Sequence, residues 1–243
     1  MSRENLVPIM IRRDVESFNM EDFDDRYVRH AFISKVFGIL GAQIVLTLGI
    51  VLLFVYVDAI QDFVEEHRWL MWLALGCVMI TMIPIMCCES ARRSFPVNFI
   101  LLILFTVAES FLLGCIAIRY TPDVVLYAIG ITAIVVLVLT IFAMQTAIDF
   151  TACGAILLIG TVILLIIGLV AIFVPSRTLI IVYCSIGIVI FSFYIIFDIQ
   201  MMLGGKHKYA ISSEDYIFAA LSIYTDVVTL FMYILTLMGI VDN

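Results

Sequence analysis

Charged residues are scarce in this chain. Asp, Glu, Lys and Arg make up 14% of its 243 residues, against about 25% in ordinary soluble domains. Hydrophobic residues make up 64%, and the mean hydropathy is +1.19. A soluble protein of this size could not cover so much apolar surface with so few charges. The composition therefore excludes a soluble domain and predicts a polytopic membrane protein.

Basic residues, histidine and cysteine motifs are also in short supply. The chain has 13 Lys and Arg against 20 Asp and Glu, and its acidic residues concentrate in the N-terminal segment and around 58–66. This balance argues against a nucleic-acid partner. The apolar segments contain no histidine, the six cysteines show no CxxC spacing, and no GxGD stretch surrounds Asp198 or Asp226. We therefore expect no enzymatic activity and no bound cofactor.

Seven apolar segments are long enough to cross a membrane, since a helical span needs about 20 mostly apolar residues. The connections between them are short, so consecutive helices should be antiparallel neighbours. The first 30 residues lack an apolar signal region, so the first span is expected to direct insertion. We predict an all-α transmembrane domain at 31–243 behind a mobile acidic tail at 1–30. The predicted spans are about 32–57, 69–88, 97–119, 124–144, 151–173, 179–203 and 217–240.

The distribution of positive charge predicts the orientation of these spans. If the N-terminus is cytosolic, ten of the Lys and Arg residues fall on the cytosolic side and three on the other. This bias follows the positive-inside rule. The odd number of spans then places the C-terminus in the lumen or outside the cell. The cytosolic set is Arg3, Arg12, Arg13, Arg26, Arg29, Lys35, Arg92, Arg93, Lys206 and Lys208, and the opposite set is Arg68, Arg119 and Arg177.

Two aspartates lie inside the predicted spans, where an ionised carboxylate costs about 2.5–3.5 kcal/mol on insertion scales. Asp198 precedes the end of the sixth span by five or six residues and should lie roughly 8 Å deep. Asp226 lies nine residues into the seventh span, roughly 14 Å deep from the same side. Because these two helices follow one another in the chain, we expect the two carboxyl groups to approach each other.

Two carboxylates in an apolar site cannot both ionise cheaply, so such a pair should titrate as a unit and could sense protons. A divalent cation between them would stabilise both charges, and oxygen ligands favour calcium. Two carboxylates alone form only a weak and transient calcium site, which suits a conduction path better than a calcium-buffering protein. The alternative is that each aspartate is protonated and only orients helix packing through hydrogen bonds.

Three further charged residues are candidates for the site. Glu109 lies near the middle of the third span, where a structural hydrogen bond and a role in the ion path are equally reasonable. Arg92 and Arg93 lie between the second and third spans. They could anchor lipid headgroups, or one of them could reach inward and pair an aspartate as a latch that protonation releases. Ser212 and Asp215, before the seventh span, have the spacing of a helix capping box.

The C-terminal third, FDIQMMLGGKHKYAISSEDYIFAALSIYTDVVTLFMYIL, resembles the signature of the Bax inhibitor-1 (TMBIM) superfamily, most closely its Lifeguard branch. The resemblance continues upstream in VRHAFISKVFGILGAQIVLT and RRSFPVNFILLILFTVAESFLLG and covers residues 28–240. It implies six helices around a central last helix, and a pH-regulated calcium leak that protects from cell death. It also implies a di-aspartyl sensor at Asp198 and Asp226, a latch at Arg92 or Arg93, and an acidic site at Glu109.

These observations predict a calcium leak channel of endoplasmic reticulum, Golgi or plasma membrane that negatively regulates apoptosis. The expected partners are the lipid bilayer, calcium ions and membrane proteins of cell death or calcium handling. The main alternative is an anti-apoptotic regulator that conducts nothing and acts through protein partners. A proton-coupled transporter is a third reading. The sequence leaves all three open.

Overall fold

The computed structural model describes residues 7–174, 176–204 and 208–242, with side chains from Tyr27 onward. Within these ranges the chain is helical and has no strand. A short 3₁₀ helix, Phe150–Cys153, precedes the seventh α-helix. The α-helices are α1 (Val7–Tyr56), α2 (Asp58–Glu66), α3 (Trp69–Cys87), α4 (Glu89–Arg93), α5 (Val97–Ala117), α6 (Pro122–Gln145), α7 (Gly154–Phe173), α8 (Arg177–Leu203) and α9 (Tyr216–Asp242).

Seven of the described segments are long and apolar enough to cross a membrane, which confirms the predicted number of spans. They are residues Tyr27–Tyr56 of α1, then α3, α5, α6, Phe150–Phe173, α8 and α9. The described part of the first span begins at Tyr27, and the backbone of α1 continues upstream of it. The backbone of α1 is helical from Val7, inside the segment predicted to be a mobile tail. The mobility of that tail stays a prediction.

Helix α9 lies at the centre of the bundle. Of its most apolar stretch of 18 residues, 61% is buried inside the protein, compared with 11–44% of the corresponding stretches in the other six spans. It packs against α1, α5, α6 and α8, while α7 packs against α8. Leu221, Tyr224, Leu230 and Leu235 of α9 are completely buried. The prediction of a central C-terminal helix surrounded by six others is therefore confirmed.

The alternation of the spans gives the bundle two polar ends. We call the end that carries α4 and the α8–α9 connection the α4 face. The end that carries α2, the α5–α6 connection and the α7–α8 connection is the α2 face. Arg92, Arg93 and Lys208 belong to the α4 face, whereas Arg68, Arg119 and Arg177 belong to the α2 face. Which end faces the cytosol stays a prediction from the charge bias.

The end of α8 is held by an arginine from α1. The Arg29 guanidinium donates hydrogen bonds to the carbonyl oxygens of Met201 (3.1 Å), Leu203 (3.0 Å) and Ile211 (2.8 Å). A cation suits this position because the last carbonyls of a helix lack intrahelical partners and carry partial negative charge. Gly204 ends α8 with φ +62°, and a Cβ there would collide with the Arg29 guanidinium. Arg29 thus fixes the start of the α8–α9 connection.

Candidate functional site

The two aspartates predicted to approach each other are in contact. Asp198 is 8% exposed and Asp226 is 6% exposed, and their carboxyl groups lie close enough to interact with each other. Two carboxyl groups can share a hydrogen bond only when one of them is protonated, because an ionised carboxylate has no proton to donate. Among the described residues, Asp226 Oδ2 is buried and has no hydrogen-bond partner. The structure therefore buries two carboxyl groups together in the interior of the spans.

The helix of Asp198 is fixed on the α4 face by a neighbouring amide. Gln200 is fully buried; its Nε2 donates to the carbonyl oxygen of Ile148 (2.9 Å), and its Oε1 accepts from the backbone N–H of Phe150 (2.7 Å). Asp149 accepts from the backbone N–H of Thr151 (3.0 Å) and of Lys208 (2.8 Å). These bonds join the α6–α7 connection to α8 and to the α8–α9 connection. They lie beside the carboxyl pair, because Gln200 follows Asp198 on α8 by two residues, about half a helical turn.

Arg92 and Arg93 do pair an aspartate, but it is Asp215 and neither member of the buried pair. Arg92 donates to Asp215 from Nε (2.9 Å) and Nη2 (3.3 Å), and Arg93 does so at 2.8 Å and 3.0 Å. We call this group the clamp. It joins α4 to the residue that precedes α9. The expectation that one of these arginines reaches Asp198 or Asp226 is wrong for this structure, because a nearer carboxylate on the α4 face takes both guanidinium groups.

The electrostatics of the clamp keep it charged. Hydrogen bonds from Arg93, then those from Arg92, lower the pKa of the Asp215 carboxyl, although burial acts in the opposite direction. The same hydrogen bond raises the pKa of Arg93, helped by the charges of Asp215, Glu89 and Glu214. Because the Asp215 carboxyl already titrates below its usual range, protonation near pH 6 does not release the clamp.

A buried network of hydroxyl groups lies on the other side of Asp226. Tyr224, two residues before Asp226 on α9, has its hydroxyl 2.7 Å from that of Thr47 on α1. Ser110 of α5 donates to Thr47 (2.9 Å), and Gln43 Nε2 donates to Thr106 Oγ1 (2.9 Å). All five side chains are buried, and Gln43 Oε1 has no partner among the described residues. The network ties α1, α5 and α9 together at mid-bundle.

Glu109 lies one residue from this network but faces a different space. It lines a cavity of about 610 Å³ between α5, α7, α8 and α9. A second cavity, of about 320 Å³, lies on the opposite side of α9 and is lined by apolar side chains with Thr47, Thr132 and Tyr224. Glu109 is therefore not part of the carboxyl pair. No group of three or more His, Cys, Asp or Glu residues that could hold a metal ion occurs in the described part of the chain.

The sequence reasoning missed several of these residues. Arg29 was counted only toward the charge bias, and Asp215 was read as a capping residue. Thr47, Thr106, Ser110 and Tyr224 received no role, since a hydroxyl in an apolar span usually bonds its own helix. The sequence does contain one indication of the Asp215 contact. Acidic residues precede the last span, and two adjacent arginines lie between the second and third spans. The predicted topology places both groups on the same face.

Comparison with known proteins agrees with the fold. A family model described as "Inhibitor of apoptosis-promoting Bax1" matches residues 29–243. Protein lifeguard 3 from Homo sapiens is 37% identical over 231 residues, which cover 92% of this chain and 73% of that protein. Protein lifeguard 3 from Mus musculus is 36% identical, covering 94% and 75%, and protein lifeguard 4 from Mus musculus is 34% identical, covering 89% and 88%. The chain is a multi-pass membrane protein that belongs to the Bax inhibitor-1 family.

Proposed function

We propose that the protein is a pH-sensitive calcium leak channel of intracellular membranes, which lowers store calcium and thereby restrains apoptosis. The single observation that carries the proposal is the proximity of Asp198 and Asp226 in the interior of the spans, where Asp226 Oδ2 is buried and has no hydrogen-bond partner among the described residues. A structural pair would use all its oxygens in packing. A carboxyl oxygen kept available at this depth suits a group that exchanges protons and cations.

The chemistry of the pair connects pH to calcium. With one shared proton, the two carboxyl groups hold each other and need no cation. When that proton leaves, two negative charges lie together in an apolar interior, and a divalent cation would stabilise both. Calcium takes six to eight oxygen ligands, so most of its shell would still be water or backbone carbonyls. Binding at Asp198 and Asp226 would therefore be weak and brief, as conduction requires.

The rest of the path follows the central helix. Beside the carboxyl pair, the buried network of Tyr224, Thr47 and Ser110 provides further oxygen atoms, and Glu109 precedes Ser110 on α5. Hydroxyl and amide groups can replace water around a passing cation or relay a proton. The clamp at Asp215 holds the first residues of α9, so we assign it to fixing the helix that carries Asp226 and assign pH sensing to the pair.

The test is calcium flux from purified protein in liposomes that contain a trapped calcium indicator, at about pH 6 and about pH 7.5. Wild type should leak calcium at a rate that changes with pH, and Asp198→Asn or Asp226→Asn should flatten that change. The exposed Asp123, in the first turn of α6, provides the matched control Asp123→Asn, which should behave like wild type. Folded wild-type protein that leaks no faster than empty liposomes at both pH values would overturn the proposal.

A second candidate is an anti-apoptotic regulator that conducts nothing and acts through other membrane proteins. It is favoured by the description of the matching family, which names an action on apoptosis and no ion. This reading predicts that Asp198→Asn and Asp226→Asn proteins protect cells as well as wild type does. Both candidates are non-enzymatic, place the protein in an endomembrane or the plasma membrane, and need no cofactor beyond the permeant calcium of the first.

A further inference from the structure

The cavity lined by Glu109 combines one acid with aromatic and aliphatic walls. Its volume is about 610 Å³, within the range of small-molecule sites. Tyr183 and Tyr233 pack edge to face on one side, with ring centroids 5.3 Å apart and their hydroxyl groups 3.2 Å apart. Leu169 and Met232 provide aliphatic surface. The cavity therefore has a charged end and a long apolar body.

The acid at the charged end lacks a protein partner. Among the described residues, no hydrogen bond or ion pair involves Glu109, and no cationic side chain lines the cavity with it. An uncompensated carboxylate inside a span is costly, so its partner is expected to come from outside the protein. Glu109 is the one acidic residue in the described lining of this cavity. A single positive charge on the ligand would match it.

The cavity is accessible from the lipid. Its α7 wall includes Leu165, Leu169 and Ile172, which are exposed on the outer surface of the bundle. Glu109 is in the middle of α5, whereas the α7 residues belong to the half of that helix near the α2 face. A molecule entering from the bilayer would thus meet apolar walls first and the carboxylate at the inner end.

We propose that this cavity is a binding site for an amphiphilic amine, a membrane-soluble molecule with one ammonium group and a hydrocarbon body, whose ammonium group pairs with Glu109. The tyrosine rings favour the same charge, because a cation is attracted to an aromatic face. This site is separate from the Asp198–Asp226 pair, and its occupation does not depend on calcium conduction.

Two other occupants fit the cavity less well. A calcium ion would need six to eight oxygen ligands. Glu109 is the one carboxylate in the described lining, and most of the other lining residues are aliphatic or aromatic. A neutral acyl chain would fill the apolar body but leave Glu109 without a partner. Only a ligand with both a cation and a hydrocarbon body satisfies the whole lining.

The experiment uses the full chain in lipid nanodiscs and a photoreactive dodecylamine with a diazirine in its chain. Labelled peptides should come from α7, α8 and α9. Excess dodecylamine should abolish the labelling, and excess dodecanol, which has the same chain without the charge, should not. Glu109→Gln should reduce labelling by about tenfold or more, because it removes one partner of a buried ion pair. The matched control Glu66→Gln, at the exposed end of α2, should label as wild type does.

A second variant keeps the test decisive if Glu109→Gln does not fold. Leu169→Trp keeps the carboxylate and fills the apolar body from its exposed wall, and it should also abolish labelling of the cavity peptides. If dodecanol competes as well as dodecylamine, the cavity takes neutral lipid only and the proposal is overturned. Labelling of folded Glu109→Gln at the wild-type level would overturn it as well. Neither result would bear on calcium flux, so failure here is distinct from failure of the proposed channel.

Discussion

Replacing Asp215 by asparagine tests whether the clamp holds the central helix. Asp215 is buried and accepts four hydrogen bonds from two guanidinium groups. A hydrogen bond to a charged group contributes about 1.5–3 kcal/mol. The Arg92 and Arg93 side chains remain 21% and 31% exposed and can be rehydrated, and asparagine keeps one acceptor oxygen. We therefore expect Asp215→Asn to lower the free energy of unfolding by about 2 kcal/mol.

The assay is thermal unfolding in mild detergent with a thiol-reactive dye. Cys115 and Cys184 are buried and react only on unfolding, whereas Cys87 and Cys88 are exposed and set the baseline. For a chain of this size, a loss of about 2 kcal/mol should lower the melting temperature by about 4–8 °C. Glu214→Gln is the control, because Glu214 is exposed and pairs only with Arg93 among the described residues. It should lower the melting temperature by no more than about 1–2 °C.

The pH dependence of this difference follows from the lowered pKa of Asp215. A carboxyl whose pKa is lower in the folded state stabilises the protein above its unfolded pKa of about 3.9, and that contribution is lost as the pH falls through the folded value. The difference between wild type and Asp215→Asn should therefore be the same at pH 6 and pH 7.5. An Asp215→Asn protein that melts with wild type, or a difference that disappears between these pH values, would refute the assignment of the clamp.

Four other substitutions test the packing and the polar contacts within the bundle. Gly187→Leu should destabilise the protein by about 1–3 kcal/mol, because a Cβ at Gly187 would lie 2.7 Å from the Tyr233 ring. Gly130→Leu is the control. A Cβ at Gly130 would meet no atom within 4 Å, so this variant should be neutral in the same melting assay. Thr47→Val and Tyr224→Phe should each cost about 1 kcal/mol, and the double variant should cost less than the sum because the two hydroxyl groups are partners. Arg29→Gln should speed hydrogen exchange at residues 201–204 and 208–211, while exchange in α3 stays unchanged.

The number of spans could be predicted from the sequence because it depends on the length and apolarity of local segments, whereas the central position of the last helix was implied by the family resemblance. Each span is a run that can satisfy its own backbone within the bilayer, so its existence needs no knowledge of its neighbours. The approach of Asp198 and Asp226 was also predictable, since consecutive antiparallel helices bring together residues at similar depth. The depth of each aspartate in its span and the order of the two helices along the chain were enough to predict this approach.

The partner of Arg92 and Arg93 could not be predicted in this way. Depth and face are readable from the sequence, but the lateral arrangement of seven helices is not, and several acids lie on the α4 face. The same is true of Glu109, whose depth gave no indication that it lines a different cavity from Asp226. Thr47 and Tyr224 meet only because α1 and α9, at opposite ends of the chain, are neighbours in the bundle. Side-chain partners across helices depend on tertiary packing, which local patterns do not encode.

The central position of α9 has a consequence for how the protein is made. A ribosome delivers this helix last, after the six spans that surround it have already entered the membrane. Until α9 arrives, Asp198 lacks Asp226, the hydroxyl groups of Thr47 and Ser110 lack Tyr224, and the arginines of α4 lack Asp215. Polar groups without partners are costly in lipid, because the hydrocarbon offers no water to hydrogen-bond them. A chain truncated before Tyr216 should therefore be less stable in the bilayer and be degraded faster than the full chain, since it lacks the 27 residues of α9.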